Sequence, residues 1–518
     1  MKSILALAAA RKKRLAAHPF FAWMRQAPVP LGSRLDMAPI MANFVMNFRD
    51  MNLWFIRFDA VSNPFEQIIN GNTDEDETHS RLFIEDWRKL QLDEKLRWRA
   101  SDTLWWLFLA PETEPFRAYA FDFARMTVVD RGDPLLRFAH SEAGEACGNA
   151  FFSAVSPLAT ELRRQTQIDY RYFGDYHLQR ERGHVIASEG LFDRQQLDPQ
   201  RREKGLALAN AMFDIFFGMH DCFHDYARNY VERGRVPRRK RSALPPMRPG
   251  PAVQPVPAAP ITGRHVEVQH ALESRKARTA RHPFYRWLQA GGPISALSRL
   301  RRFLPMWVMD IMGYRDLNRY ALRFASPQGA SELAFNRWVQ ALQTHSELFL
   351  NDWDALGMDD ALGWSASDTL EFLFLDAGTD IHRCNLAKFT KLAIAHESTA
   401  LRFWLLEALE ASGEAFFANT RELAQAVEGA TGMRLDYLAD RHYLVHAEGE
   451  GCAGRSHPFK SEPLSAEQAQ ISMAMVDTVF DAVDSQLTLS LAVAAQDRFG
   501  IDSGKPGGAS RAAVMGPA

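Results

Sequence analysis

Cysteine is scarce in this 518-residue chain, which contains only four. Four cysteines are too few for a disulfide framework in a chain of this length, and none are paired at the spacing of a zinc knuckle. The composition therefore predicts reduced thiols, as expected of a cytoplasmic protein.

Long apolar runs and an excess charge of one sign are also missing. No stretch reaches the ~20 apolar residues that a membrane-spanning helix needs. At the start of the chain, the basic cluster follows a short apolar stretch instead of preceding it, unlike a signal peptide. The 61 basic and 63 acidic side chains leave a net charge of −2, so no overall field attracts nucleic acid or an anionic membrane. We therefore expect a soluble protein with neither as a partner.

Strand signals are nearly absent as well. Asn70-Gly71 is the one dipeptide typical of a hairpin turn, and it is expected in a polar loop. Apolar residues instead recur at helical spacing, as Leu401, Leu405 and Leu409 do. The pattern predicts an all-α protein in which most of the 12 Trp and 35 Phe pack in the core.

The most informative feature present is an internal repeat. His18-Pro19-Phe20 recurs as His282-Pro283-Phe284 after 264 residues, and Asp86-Trp87 recurs as Asp352-Trp353 after 266. Further matches along the whole length keep the offset between 264 and 267. A nearly constant offset indicates a tandem duplication of one domain of roughly 220 residues.

The duplication predicts two helical bundles of about seven helices each. A proline-rich stretch with a basic start separates the copies and is typical of an extended linker. The predicted division is a first domain at 1–232, a linker at 233–268, a second domain at 269–499 and a disordered tail at 500–518. The two copies are expected to pack on each other, or the chain to form a homodimer.

Helix starts are marked by specific residues. His18 and His282 each precede a proline, which favours a capping role for both. Ser465 is followed three residues later by Gln468, the pattern of a capping box.

One segment of the first copy has the spacing of metal ligands. His177, Glu181 and His184 stand at positions i, i+4 and i+7, which share one face of a helix. Two imidazoles and a carboxylate suit iron, manganese or zinc. The alternative is ordinary pairing of histidine and glutamate at the surface.

A second segment places a carboxylate one helical turn before a histidine. Glu75 lies four residues before His79, and Asp76, three residues before it, is the competing carboxylate. The alternative for the acidic run 74–77 is a solvated helix start.

A third segment carries Glu142 and Glu145 among alanine, glycine and cysteine. A glutamate on such a helix is costly to bury unless it is paired or bound to a metal. Helical bundles whose carboxylates and histidines point inward are the usual cradle for a pair of iron or manganese ions.

Together these segments resemble the haem-oxygenase-like di-iron oxidase family, whose fold is shared with thiaminase-type and pyrroloquinoline-quinone-synthase-type proteins. The resemblance covers each copy almost end to end. It implies two tandem haem-oxygenase-like bundles and a non-haem site for two Fe2+ ions, or manganese. Such a site uses O2 to oxidise a small organic substrate. Carried over by position, the implied ligands are Glu75, His79, Glu145, His177, Glu181 and His184.

The second copy keeps only part of this set. Its matching residues are Ala341 for Glu75, Leu342 for Asp76, His345, Glu410, His442, His446 for Glu181 and Gly449 for His184. We therefore expect a degenerate second copy and an active site in the first. The alternative is a non-catalytic helical binding or scaffold protein whose site has decayed, with the shared histidines as hydrogen-bonded core residues.

Two further expectations concern the substrate. The first copy alone carries His220 and His224, which either contact the substrate or form an exposed polar face. The aromatic residues Trp105, Trp106 and Phe108 are expected to line the substrate pocket.

Overall fold

The structure is a computed structural model that describes residues 1–180, 191–192, 194–240, 263–290, 292, 294–439, 459 and 463–502. In these ranges every regular element is a helix, which confirms the all-α prediction. Across the same ranges, no helix combines the length and the apolar character needed to cross a membrane. Glu181, His184, most of the predicted linker and tail, and the side chain of Glu75 lie outside the described residues.

The chain divides into two compact units. The first comprises Met1–Trp98, Trp106–Arg239 and Ser365–Leu375, and the second comprises Arg99–Trp105, Lys240–Trp364 and Asp376–Ala518. Each unit thus includes a short stretch from the other half of the sequence. These stretches contain the repeated Ser-Asp-Thr motif.

The motif is anchored in the same way in each unit. Within the first unit, Ser367 donates hydrogen bonds from its backbone N and its Oγ to Asp93, at 3.0 and 2.6 Å. Within the second unit, Ser101 donates the same two bonds to Asp359, at 2.9 and 2.6 Å.

Two long helices, α9 (Pro134–Thr166) and α10 (Pro199–Tyr226), pack along each other in the first unit, and α1 (Lys2–Leu15) lies against both. Residues 175–180, between them in sequence, are also helical. The α-helices of the first half of the chain are α1 (Lys2–Leu15), α2 (Pro19–Gln26), α3 (Ala38–Met51), α4 (Pro64–Asp76), α5 (His79–Lys89), α6 (Leu92–Leu96), α7 (Ala100–Phe108), α8 (Glu114–Val129), α9 (Pro134–Thr166) and α10 (Pro199–Tyr226).

The second unit repeats this arrangement. Helices α20 (Thr399–Thr431) and α21 (Ala466–Ala495) pack together, and α11 (Arg264–Thr279) lies against both. The α-helices of the second half are α11 (Arg264–Thr279), α12 (Pro283–Gln289), α13 (Ala296–Phe303), α14 (Val308–Asp316), α15 (Ala330–Ala341), α16 (His345–Ala355), α17 (Met358–Leu362), α18 (Ala366–Leu375), α19 (Asp380–Ala395), α20 (Thr399–Thr431) and α21 (Ala466–Ala495).

Short 3-10 and π-helical turns join several of these helices. The π-helical turns follow α3, α10 and α14 and span Asn52–Ile56, Ala227–Val231 and Leu317–Leu322. The 3-10 turns span Leu31–Met37, Pro111–Thr113, Leu304–Trp307, Leu342–Thr344 and Ala377–Thr379.

The capping residues predicted from the sequence are confirmed. The side chains of His18 and His282 accept hydrogen bonds from the backbone N–H two residues later, at the first turns of α2 and α12. Ser465 and Gln468 form a reciprocal capping box at the start of α21. Each cap satisfies an N–H group that the helix itself leaves without a partner.

A candidate metal centre in the first unit

A cavity of about 100 Å3 lies inside the first unit, lined by residues of α3, α4, α5, α8, α9 and α10. Eight phenylalanine and three methionine side chains form the apolar part of its wall, together with a few aliphatic residues. The polar residues on the wall are Asn52, Asn72, Thr73, Asp76, His79, Ser141, Glu142, Glu145, Tyr172, His177 and His220.

Three of the six predicted ligands meet in this cavity. They are His79 at the start of α5, Glu145 on α9 and His177 in the helical residues 175–180. The imidazole centroids of His79 and His177 are 4.1 Å apart. His177 is fully buried and His79 is 6% exposed, so the alternative of surface pairing is wrong for His177.

The first carboxylate on the cavity wall is Asp76. Its Oδ1 lies 3.7 Å from Nε2 of His79, and Nδ2 of Asn52 donates to its Oδ2 at 3.3 Å. The acidic run lies at the end of α4, and Asp76 is only 4% exposed. The alternative of a solvated helix start is therefore wrong for this residue.

Both glutamates of α9 line the cavity. Burial and the negative charge of Glu145 raise the pKa of Glu142 to about 7. Two carboxylates of one helix, three residues apart, therefore share this wall, whereas the family resemblance implies only Glu145 as a ligand.

His177 is held by a hydrogen bond to the chain that precedes it. Its Nδ1 lies 3.0 Å from the carbonyl oxygen of Tyr172. A carbonyl oxygen only accepts, so Nδ1 carries the proton and, in the neutral ring, Nε2 carries the lone pair. Metal-binding histidines are commonly oriented by a hydrogen bond of this kind.

The loop that supplies this carbonyl is fixed by Asp86. Its carboxylate accepts hydrogen bonds from the backbone N–H groups of Arg171, Tyr172 and Phe173, at 3.0, 2.8 and 3.1 Å. Burial raises the pKa of Asp86 to about 6, against the opposing effect of these hydrogen bonds. The repeated Asp-Trp motif therefore positions His177, a role that the sequence analysis missed.

His220 on α10 is a further residue of the cavity. It is 1% exposed, so the alternative of an exposed polar face is wrong for it, although the neighbouring Asp221 and Asp225 are exposed. Its Nδ1 donates to the carbonyl of Phe216 at 2.6 Å, and its Nε2 has no hydrogen-bond partner among the described residues. Burial lowers the pKa of His220 to about 3, which keeps the ring neutral.

The aromatic residues expected in the pocket lie elsewhere. Neither Trp105, Trp106 nor Phe108 lines the cavity. Trp106 is fully buried and its indole N–H donates to the carbonyl of Pro39 at 2.7 Å. The prediction was wrong because an aromatic-rich helix gives no sign of which of its faces meets a cavity and which meets a neighbouring helix.

The donor atoms suit a hard or borderline metal ion, since they are carboxylate oxygens and imidazole nitrogens. Within the described ranges, no group of three or more histidine, cysteine, aspartate or glutamate side chains is arranged to hold an ion. The predicted ligands Glu181 and His184 lie outside those ranges.

The second unit has a larger cavity, of about 550 Å3. His345 and Glu410 line it, as the repeat predicts, whereas His442, His446 and Gly449 lie outside the described residues. Leu342, which matches Asp76, is buried.

Comparisons with known proteins do not assign the chain to a family. No protein family model matches it, and no curated protein gives a significant match.

Proposed function

We propose that the first unit is a non-haem iron oxidase or oxygenase that holds two Fe2+ ions, or manganese, and acts with O2 on a small organic substrate in the cytoplasm. One observation carries the proposal. Asp76, His79, Glu145 and His177 come from four separate helical segments and line a single cavity. Asp76, His79 and His177 are buried, and ionisable side chains in such a cavity are costly for the fold unless they are paired or bound to a metal.

The cavity supplies donors of the type that iron and manganese prefer. His79, Glu145 and His177 would hold the ions, with Asp76 or Glu75 as the first carboxylate and Glu181 and His184 completing the set that the family resemblance implies. Bound ferrous ions would supply activation of O2, which amino acid side chains alone do not provide.

The protein's own residues prepare the site. Asp86 fixes the loop whose carbonyl orients His177, so the imidazole needs little reorganisation to bind an ion. The phenylalanine and methionine wall excludes water and favours a largely apolar substrate. Nε2 of His220 offers a neutral acceptor for a hydroxyl or N–H group of that substrate.

Oxygen uptake tests the proposal. The full-length protein is loaded with Fe2+ without air, freed of excess metal and mixed with buffer saturated with O2. We expect O2 consumption and a transient absorbance change in the wild type, and neither in the His177→Ala/Glu181→Ala variant.

A matched control is His345→Ala in the second unit, which should consume O2 as the wild type does. A wild type that takes up no more O2 than free Fe2+ would contradict the proposal.

The second candidate is a non-catalytic binding protein. The specific observation in its favour is the second unit, where Leu342 replaces the carboxylate of Asp76 while the cavity is kept. This candidate predicts ligand binding without retention of iron by either unit.

A further inference from the structure

The cavity of the second unit has the size and wall of a site for an organic molecule. Its volume of about 550 Å3 is about five times that of the first cavity and falls within the range of small-molecule pockets, roughly 300–1,000 Å3. The aromatic residues on its wall are Trp307, Tyr314, Phe389, Phe416, Phe417 and Tyr437.

Polar residues have replaced apolar ones at this cavity. Asp310 stands where the first copy has Phe44, and Gln486 stands where it has Met219. Simple decay of a metal site would remove polar ligands without adding buried polar groups, because burying such groups costs free energy. The second cavity therefore has buried polar groups that match none of the predicted ligands of the first copy.

The new polar groups form a network around Asp310. Nε2 of Gln486 donates to its Oδ1 at 2.6 Å, and Nδ1 of His382 is hydrogen-bonded to its Oδ2. Gln486 is 2% exposed and His382 is fully buried. His382 also replaces an apolar residue, Phe116 of the first copy. Two buried side chains thus hold one carboxylate in a fixed position on the cavity wall.

A second carboxylate on the wall is oriented by a tyrosine. The hydroxyl of Tyr314, which replaces Phe48 of the first copy, donates to Oε1 of Glu410 at 2.8 Å. Burial and the charge of Glu410 raise the pKa of Tyr314, so the phenol stays protonated and remains the donor.

The charges on the wall do not balance. The described lining carries three carboxylates, Asp310, Glu410 and Glu414, and one lysine, Lys276. Lys276 is already in a salt bridge with Glu414, and the hydrogen bond and charge of Glu414 raise the pKa of Lys276 in spite of its burial. Counting lysine and carboxylates alone, the described wall therefore has more negative than positive groups.

We propose that this cavity binds a small organic amine, with its ammonium group at Asp310 and its apolar body between the aromatic side chains. A carboxylate makes strong, charge-assisted hydrogen bonds to an ammonium group. Aromatic faces attract the same cation through their quadrupole. A carboxylate and aromatic faces on one wall therefore favour an amine over an acid or an alcohol of the same shape.

Calorimetric titration of the full-length protein tests the choice of ligand. Tryptamine, tryptophol and indole-3-propionate share one aromatic body and differ in the polar group. We expect tryptamine to bind at least ten-fold more tightly than either of the others. Equal affinity for the three, tighter binding of the carboxylate, or no binding would overturn the proposal.

Substitutions locate the binding to this cavity. Asp310→Asn keeps the shape of the side chain and removes its charge, so tryptamine should bind at least ten-fold more weakly. Gly413→Leu places a side chain in the cavity, and a Cβ at Gly413 meets only Phe417, at 4.0 Å, so this variant should fold and lose binding.

The matched control is Gly144→Ala, which adds a methyl group to the wall of the first cavity, where its nearest neighbour is Met212 at 3.9 Å. It should leave the affinity for tryptamine unchanged. Binding that is lost in Gly144→Ala and kept in Gly413→Leu would move the ligand to the first unit and overturn the proposal.

Discussion

At the scale of single residues, buried acids do most of the positioning in the first unit. Asp86 is fully buried and accepts three backbone hydrogen bonds from the loop that holds His177. Asp352 makes the matching bonds to Asp436, Tyr437 and Leu438 in the second unit. Both copies therefore keep the aspartate that holds this loop, although their predicted metal ligands differ.

Asp86→Asn should loosen this anchor. Asparagine offers one acceptor oxygen and turns an NH2 group toward the remaining donors, so at least one buried N–H loses its partner. We expect a loss of about 1–3 kcal/mol in the free energy of unfolding, together with weaker retention of iron. Urea denaturation and metal analysis measure the two effects. Unchanged stability and iron content would refute the anchoring role.

Asp130 holds a second buried network, away from the described cavity wall. It accepts hydrogen bonds from Nε and a terminal nitrogen of Arg137, at 2.9 and 2.8 Å, and lies 3.2 Å from Nε2 of His140. Burial alone would raise the pKa of Asp130, but the hydrogen bonds from His140 and Arg137 and the guanidinium charge lower it below the usual 3.8.

Asp130→Asn should cost about 3–5 kcal/mol at neutral pH, because it leaves the charge of Arg137 buried without its partner. A depressed pKa gives stability that is present above the ordinary pKa and is lost as pH falls through the folded-state value. The difference between wild type and variant should therefore shrink below about pH 4.

Urea denaturation at neutral and acidic pH measures this difference. The control is Asp122→Asn. Asp122 forms a salt bridge with the exposed Arg125, so this substitution should lower the free energy of unfolding by less than about 1 kcal/mol. Equal losses of unfolding free energy in the two variants would contradict the role of Asp130 as the buried partner of Arg137.

Some of these residues were predictable from the sequence and others were not. His177 stands out by its spacing with Glu181 and His184, His79 by the carboxylates that precede it, and Glu145 as a glutamate among small and apolar residues. Asp86 and His220 act through residues or helices distant in sequence, so local spacing does not reveal their roles. Leu487 matches His220 in the second copy, and this apolar residue is a sequence signal that the helix face of His220 is buried.

At the scale of elements, long periodic helices and their caps were predictable, whereas short helices and loops were not. Asn70-Gly71, expected in a loop, lies inside α4. Helix α6 is bounded by Gln91 and Arg97, which adopt left-handed conformations with φ of 55° and 51°. Only the matching glycines of the second copy, Gly357 and Gly363, carry the usual sequence signal for this conformation. Tertiary packing imposes the turn in the first copy.

The loop before residues 175–180 leaves little room for a side chain at Gly174, although the matching loop of the second copy has Ala439. A Cβ at this position would lie 2.2 Å from the carbonyl oxygen of Tyr170, a backbone atom that cannot move aside. We expect Gly174→Ala to cost on the order of 2 kcal/mol or more and to lower iron retention, because the loop orients His177.

Thermal unfolding and metal analysis measure the effect of Gly174→Ala. The control is Gly71→Ala in α4, where a Cβ meets nothing within 4 Å, so this variant should be neutral or up to about 1 kcal/mol more stable. A Gly174→Ala protein as stable as wild type would show that the loop tolerates the contact.

At the scale of the whole molecule, the two copies of the repeat carry different side chains at matching internal positions. The first unit keeps histidines and carboxylates in a small cavity. The second replaces Phe44, Phe48 and Met219 by polar residues around a larger one. The repeat was evident from the sequence. The sizes of the two cavities could not be predicted from it, because they depend on how the helices pack.

Iron stoichiometry tests the central claim most directly. The full-length protein is loaded with Fe2+ under nitrogen, desalted, and analysed for iron per chain in the wild type, His177→Ala and His345→Ala. The proposed site predicts close to two irons in the wild type and in His345→Ala, and almost none in His177→Ala. Iron at background in the wild type, or the same content in His177→Ala as in the wild type, would contradict a metal centre in the first unit.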